Sequence, residues 1–152
     1  MEHGVKTMEF SVTHSIPASP EQLFDVWLDG DSPRGPWVGN GARRLDPVVG
    51  GVFYWADKNW TDLETGGGDW PHYGRFLRIE RPQLVEFTWV SECTHGLDSV
   101  VTVAFRETEG GTEVTLRHGG LPDDQAGLDH KNAWIRILGN VSAHFSASVS
   151  GQ

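Results

Sequence analysis

Between Ala42 and His118 the chain reads as six short strand segments, several of which alternate apolar with polar residues, and the last thirty residues switch to a helical period. That change of period constrains the fold most, because a period of two buries one face of a strand and 3.6 buries one stripe of a helix. The strand candidates are Ala42 to Val48, Gly51 to Asp57, His72 to Glu80, Leu84 to Ser91, Ser99 to Glu107 and Thr112 to His118. Val101, Val103 and Phe105 oppose Thr102 and Arg106, and Val114, Leu116 and His118 oppose Glu113, Thr115 and Arg117. The turns "VVGG", "ERPQ", "THGLD" and "TEGG" between them are short, which predicts an antiparallel meander.

A seventh strand precedes them. Met8, Phe10, Val12, His14 and Ile16 alternate with polar residues. In "SPEQLFDVW" Ser19 can cap a helix, Pro20 suits its first position and Gln22 completes a capping box. From Asp123 to about Ser148, Trp134, Ile137, Leu138, Val141 and Phe145 mark one helical face. One amphipathic helix must then cover one apolar face of a large curved sheet, an α+β layout.

With 152 residues and no internal repeat or linker, the chain reads as one domain, 1–152, with 1–7 expected to be disordered. One cysteine, Cys93, allows no internal disulfide. "MEHGVKTMEF" lacks the apolar run of a signal peptide, and no stretch nears the ~20 apolar residues of a membrane span. The expectation is a cytoplasmic protein without membrane insertion. A formal charge of −9, with Lys and Arg scattered, argues against nucleic acid and anionic membranes as partners.

Particular strings carry a resemblance. "IPASPEQLFDVW", "GGVF", "GRFLRIERPQLVEFTW", "GGTEVTLRHGGLP" and "NAWIRILGNV" occur in this order over nearly the whole chain. Together they resemble the activator of heat-shock-protein ATPase homologue-like branch of the START-related, birch-pollen-allergen-like (SRPBCC) superfamily. Ala133 stands where that branch usually has glycine, and Val141 where it often has leucine. The resemblance implies a helix-grip fold: a curved antiparallel sheet of about seven strands wrapped around a long C-terminal helix, with one or two short helices after the first strand. It also implies a cavity between sheet and helix, which in the superfamily takes lipids, sterols, hormones or polyketides. The co-chaperones that name the branch carry an additional N-terminal domain, for which this length is expected to leave no room.

The stretch 58–71, "KNWTDLETGGGDWP", is long for a link between neighbouring strands. It is expected to act as a lid, with Trp60 and Trp70 over the cavity mouth and Gly66 to Gly68 as its flexible part. The ligand-binding candidates are Trp37, Phe53, Trp55, Trp60, Trp70, Tyr73, Leu77, Trp89, His118, Trp134 and Leu138. Aromatic walls suit a lipophilic or flat ligand, and Tyr73 and His118 are the expected polar contacts. For Trp89 and Trp134 core packing is the plainer role.

His14 and His118 share an inward parity on strands that the fold makes neighbours, so they are expected near one another. As catalytic groups they would need an orienting carboxylate or tyrosine. His72 near Asp69, and His95 near Asp98, lack a third ligand at a telling spacing, and His130 is expected at the exposed start of the last helix. Neither metal nor cofactor is expected, and no catalytic residue is assigned. The reading is a carrier, sensor or storage module for a hydrophobic or aromatic small molecule, as a monomer or weak homodimer. The alternatives are a cyclase or hydrolase, with His14 or His118 as base and Arg75 polarising a carbonyl, or a protein that binds a chaperone ATPase.

Overall fold

The computed structural model describes residues 7–37, 43–57, 70–91, 94 and 96–150, with backbone only at 57, 70 and 147–150. Its elements are β1 (Thr7–Ile16), α1 (Pro20–Trp27), β2 (Arg43–Leu45), β3 (Val52–Asp57), β4 (Trp70–Glu80), β5 (Leu84–Trp89), β6 (Ser99–Thr108), β7 (Gly111–Pro122) and α2 (Gln125–Ser150). The strands form one sheet in the order β1-β7-β6-β5-β4-β3-β2, every neighbour antiparallel. This is the helix-grip α+β fold, with two helices among the described residues. Neither is long and apolar enough to cross a membrane.

Boundaries moved where tertiary pairing overrode local signals. Thr7 belongs to β1, opposite Pro122, although residues 1–7 were expected to lie outside the fold. β4 starts at Trp70, opposite Asp57, so the connection expected over 58–71 shortens to 58–69. β7 runs past His118 to Pro122, because a bulge at Met8/Glu9 and a positive φ at Gly120 let pairing with β1 continue through the glycine pair.

The helix starts are set locally. Ser19 Oγ accepts from the Gln22 backbone N–H, and Gln22 Oε1 accepts from the Ser19 N–H, closing the capping box. The Asp124 carboxylate accepts from the Ala126 N–H and so caps α2. Leu23, Phe24 and Trp27 of α1 are buried against the inner sheet face, where Phe24 and Trp27 meet Phe105 edge-on. α2 lies closest to β1 and β7. Arg34, in the segment after α1, rests its guanidinium 3.9 Å from the centre of the Phe145 ring.

Two glycine sites hold β4 in place. Gly50 has φ +85°, and the Gly50 N–H and Gly51 carbonyl clasp both backbone groups of Phe76. A side chain at Gly74 would start 2.0 Å from the Thr88 carbonyl oxygen, closer than any real contact. Gly74→Ala must therefore push β4 from β5, and we expect a loss of about 1–3 kcal/mol, read as a lower urea midpoint.

Candidate functional site

Inward positions on β3, β5 and β7 converge with one face of α2. Phe53 and Trp55 come from β3, Phe87 and Trp89 from β5, and Trp134 and Leu138 from α2; all are buried. Trp37 enters from the segment after α1. Its indole N–H donates to the Trp27 carbonyl at 2.8 Å, which fixes the ring. Its ring centre then lies 4.8 Å from Phe53, 5.2 Å from Trp55, and 6.1–6.4 Å from Phe87, Trp89 and Trp134. These are edge-to-face and tilted contacts, the geometries aromatic quadrupoles favour.

Three histidines complete this cluster. His72 on β4 stacks on Trp89 with 4.4 Å between ring centres. His118 on β7 lies 5.4 Å from His130 on α2, and His130 lies 6.3 Å from His72. All three are fully buried. His130 was expected at the exposed start of the helix, and His72 at the start of a strand with no inward role assigned to it. His130 in fact extends the stripe of Trp134, Leu138 and Val141 one turn back, at the i−4 position, and its Nδ1 contacts the Ala126 carbonyl oxygen at 2.8 Å. That spacing was readable. His72 was hidden because its inward companions on β4 are Gly74 and Phe76, and a glycine leaves the alternation blank.

The same ambiguity misdirected Tyr73 and Leu77. They were expected to line the cavity, but they stand on the outer face, 50% and 41% exposed. Register decides this: Phe53 pairs with Gly74 and Phe76 with Phe87, so 72, 74 and 76 point inward. Arg75 is exposed on the outer face with Tyr73, so it does not reach the inner face where it was expected to polarise a carbonyl. His14 and His118 do not meet. His118 pairs with Phe10, and His14 lies opposite Val114, four residues or about 13 Å along the strand. Trp60 lies outside the described residues, as do residues 58–69 of the expected lid; Trp70 opens β4, but its side chain is not described.

The polar wiring of His118 is specific. The Trp134 indole N–H donates to Nδ1 at 2.9 Å. Nδ1 must therefore be the unprotonated nitrogen, and Nε2–H donates to Ser99 Oγ at 2.8 Å. The Ser99 hydroxyl in turn donates to the Trp89 carbonyl at 2.6 Å. Protonating Nδ1 would set two donors against each other. Burial, with His130 and His72 nearby, accordingly holds the His118 pKa well below the usual imidazole value. Burial, and then His130, also push His72 down to about 3. With both His118 nitrogens engaged inside the protein, this imidazole has no lone pair to offer as a base.

Two indole N–H groups stand apart here, those of Trp27 and Trp89. The Trp89 indole N–H is buried and meets no acceptor among the described residues. Such a donor costs about 1–3 kcal/mol while unsatisfied. Among the described residues no group of three His, Cys, Asp or Glu side chains is arranged to hold a metal ion.

The fold has counterparts elsewhere. A Chromobacterium violaceum protein of known structure superposes with a TM-score of 0.75 at 17% identity, covering 90% of this chain and 96% of its own. A Mesorhizobium loti protein gives 0.71 at 21% identity, covering 91% and 97%. An AHSA1-like protein from Aeromonas hydrophila gives 0.66 at 22% identity, covering 95% and 94%. At these identities the likeness speaks for the fold. No curated protein matches the chain. The profile of the family described as Activator of Hsp90 ATPase homolog 1-like protein matches residues 17–146, a span that includes both helices' starts and every ring of the cluster, and the chain belongs to that AHSA1-like family within the SRPBCC superfamily, whose fold generally binds hydrophobic ligands.

Proposed function

We propose that this protein binds a flat, lipophilic small molecule carrying one hydrogen-bond acceptor, on the inner sheet face under α2. The observation that carries the reading is the Trp89 N–H, buried among indoles and imidazoles without an acceptor. A carbonyl or ether oxygen would satisfy it, while the ligand's flat body gains from contact with Trp37, Trp55 and Trp134. Binding is favoured over turnover because His118, the histidine most central to the cluster, is held neutral with both nitrogens occupied. The cyclase or hydrolase alternative with His118 as base would need a free lone pair on that imidazole facing the ligand.

Fluorenone and fluorene test this, because they share a shape and differ by the carbonyl. Both should quench tryptophan fluorescence saturably, and fluorenone should bind about tenfold more tightly. Trp89→Phe keeps an aromatic ring and removes the donor, so it should erase that preference while fluorene binding persists. Absence of saturable quenching by either compound would overturn the proposal, as would an unchanged preference in Trp89→Phe.

A further inference from the structure

The outer face of the sheet is mostly self-neutralised. Arg78 pairs with Glu80, Arg106 with Glu113 and Arg117 with Glu9, each at 2.8 Å, and Arg81 forks onto Asp25 from the β4–β5 turn. One corner differs. Arg44 pairs in register with Tyr54, and Tyr54 with Tyr73; Val52 pairs with Arg75. Directly paired residues share a face, so two arginines, two tyrosines and a valine stand together on the outside of β2, β3 and β4. Arg44, Val52, Tyr73 and Arg75 are exposed. Among the described residues neither arginine has a carboxylate within ion-pair distance; Arg75 spends one N–H on the Gly50 carbonyl. On a chain with a net charge of −9 this outer face carries two arginines without a described carboxylate partner, with Asp29 and Asp31 lining a hollow beside Arg44 at its edge.

The spacing defines what would fit. Arg44 and Arg75 are two strands apart and offset by two residues, so their Cα atoms lie about 12 Å from one another. In an extended peptide, residues i and i+4 lie about 13 Å apart on the same side, with i+2 between them. The two tyrosines and Val52 occupy that middle ground. We propose that this corner docks an extended acidic segment of another protein, with carboxylates at i and i+4 reaching Arg44 and Arg75 and an apolar residue at i+2 over Tyr54 and Tyr73. Charge complementarity selects an acidic partner, and the chain's overall negative charge disfavours a nucleic acid strand on the same aromatic-cationic surface.

The test uses the full chain, isotopically labelled, titrated with the blocked peptide Glu-Ser-Leu-Ser-Glu while amide shifts are followed. Perturbations should centre on residues 44, 54, 73 and 75, and should weaken at least severalfold in 0.5 M salt. The surface variant Arg44→Glu/Arg75→Glu should lower affinity at least tenfold, leaving fluorenone binding at the inner face unchanged. A peptide with its glutamates adjacent should bind more weakly. Four results would overturn the proposal: no shifts at millimolar peptide, shifts that the double variant leaves intact, response to single-stranded oligo-dT in place of the peptide, or self-association that the double variant abolishes, which would make the occupant a second copy of this chain.

Discussion

Trp37→Ala should lower stability by about 3–5 kcal/mol, the cost of removing a large buried aromatic ring. The upper part of that range is expected. The ring touches six others, including Trp27 at 6.3 Å, and all of these contacts are lost at once. The substitution also strands the Trp27 carbonyl, which loses its indole donor. Domains of this size have about 5–15 kcal/mol in all, and each kcal/mol shifts Tm by about 2–4 °C. A fall of about 10–20 °C is therefore expected in thermal denaturation. Trp37→Phe, which retains most of the ring contacts, should fall by less than half as much. A loss below 1 kcal/mol for Trp37→Ala would show that the interior closes up freely and that Trp37 is not its centre.

Acid should destabilise the protein before its carboxylates titrate. In the folded chain His72 is pushed down to about 3 and His118 well below 6.5, the ordinary imidazole value. Between those values and 6.5 the unfolded chain takes up protons that the native state refuses. Stability is therefore full above pH 6.5 and is lost as pH falls through and below it. Each histidine contributes a slope approaching 1.4 kcal/mol per pH unit, so the pair should remove about 2–3 kcal/mol between pH 7 and 5.5. Urea midpoints at the two pH values measure this, in a window above the ordinary carboxylate range. His118→Gln supplies an acceptor for Trp134 and a donor for Ser99 without a titrating group, and should roughly halve the slope. A stability that stays flat from pH 7 to 5.5 would mean that neither imidazole is held neutral by burial.

Both predictions concern residues that were legible in the sequence to different degrees. Phe53, Trp55, Trp89 and Trp134 could be named as inward because each lies on a segment whose own alternation or helical stripe declares a face, whereas Trp37 lies in the irregular segment after α1. His130 was equally readable, since it lies four residues before Trp134, but a histidine near a helix start resembles a solvated one until the stripe is extended back to it. Tyr73 and Leu77 could not be settled locally. On β4 the sets 72-74-76 and 73-75-77 each contain apolar and polar members, and Gly74 thins the apolar content of the 72-74-76 set, so that local pattern favours 73-75-77 as the buried face. The pairing of Phe76 with Phe87, across the β4–β5 turn, chose between them.

What the amino-acid sequence determined by itself was the set of elements: which stretches are strands, where α1 is capped, where α2 begins and which stripe it buries. Those features arise between residues a few positions apart, where period, capping hydroxyls and turn residues act directly. Only the tertiary structure decided that His72, His118 and His130 meet around Trp89, that His14 stays apart, and that Arg44 and Arg75 stand together outside. Those meetings depend on strand register and on how α2 lies across the sheet. Register is a property of partners that are tens to a hundred residues apart, and the single chain pattern that specifies each partner leaves their alignment to the packing of the whole interior.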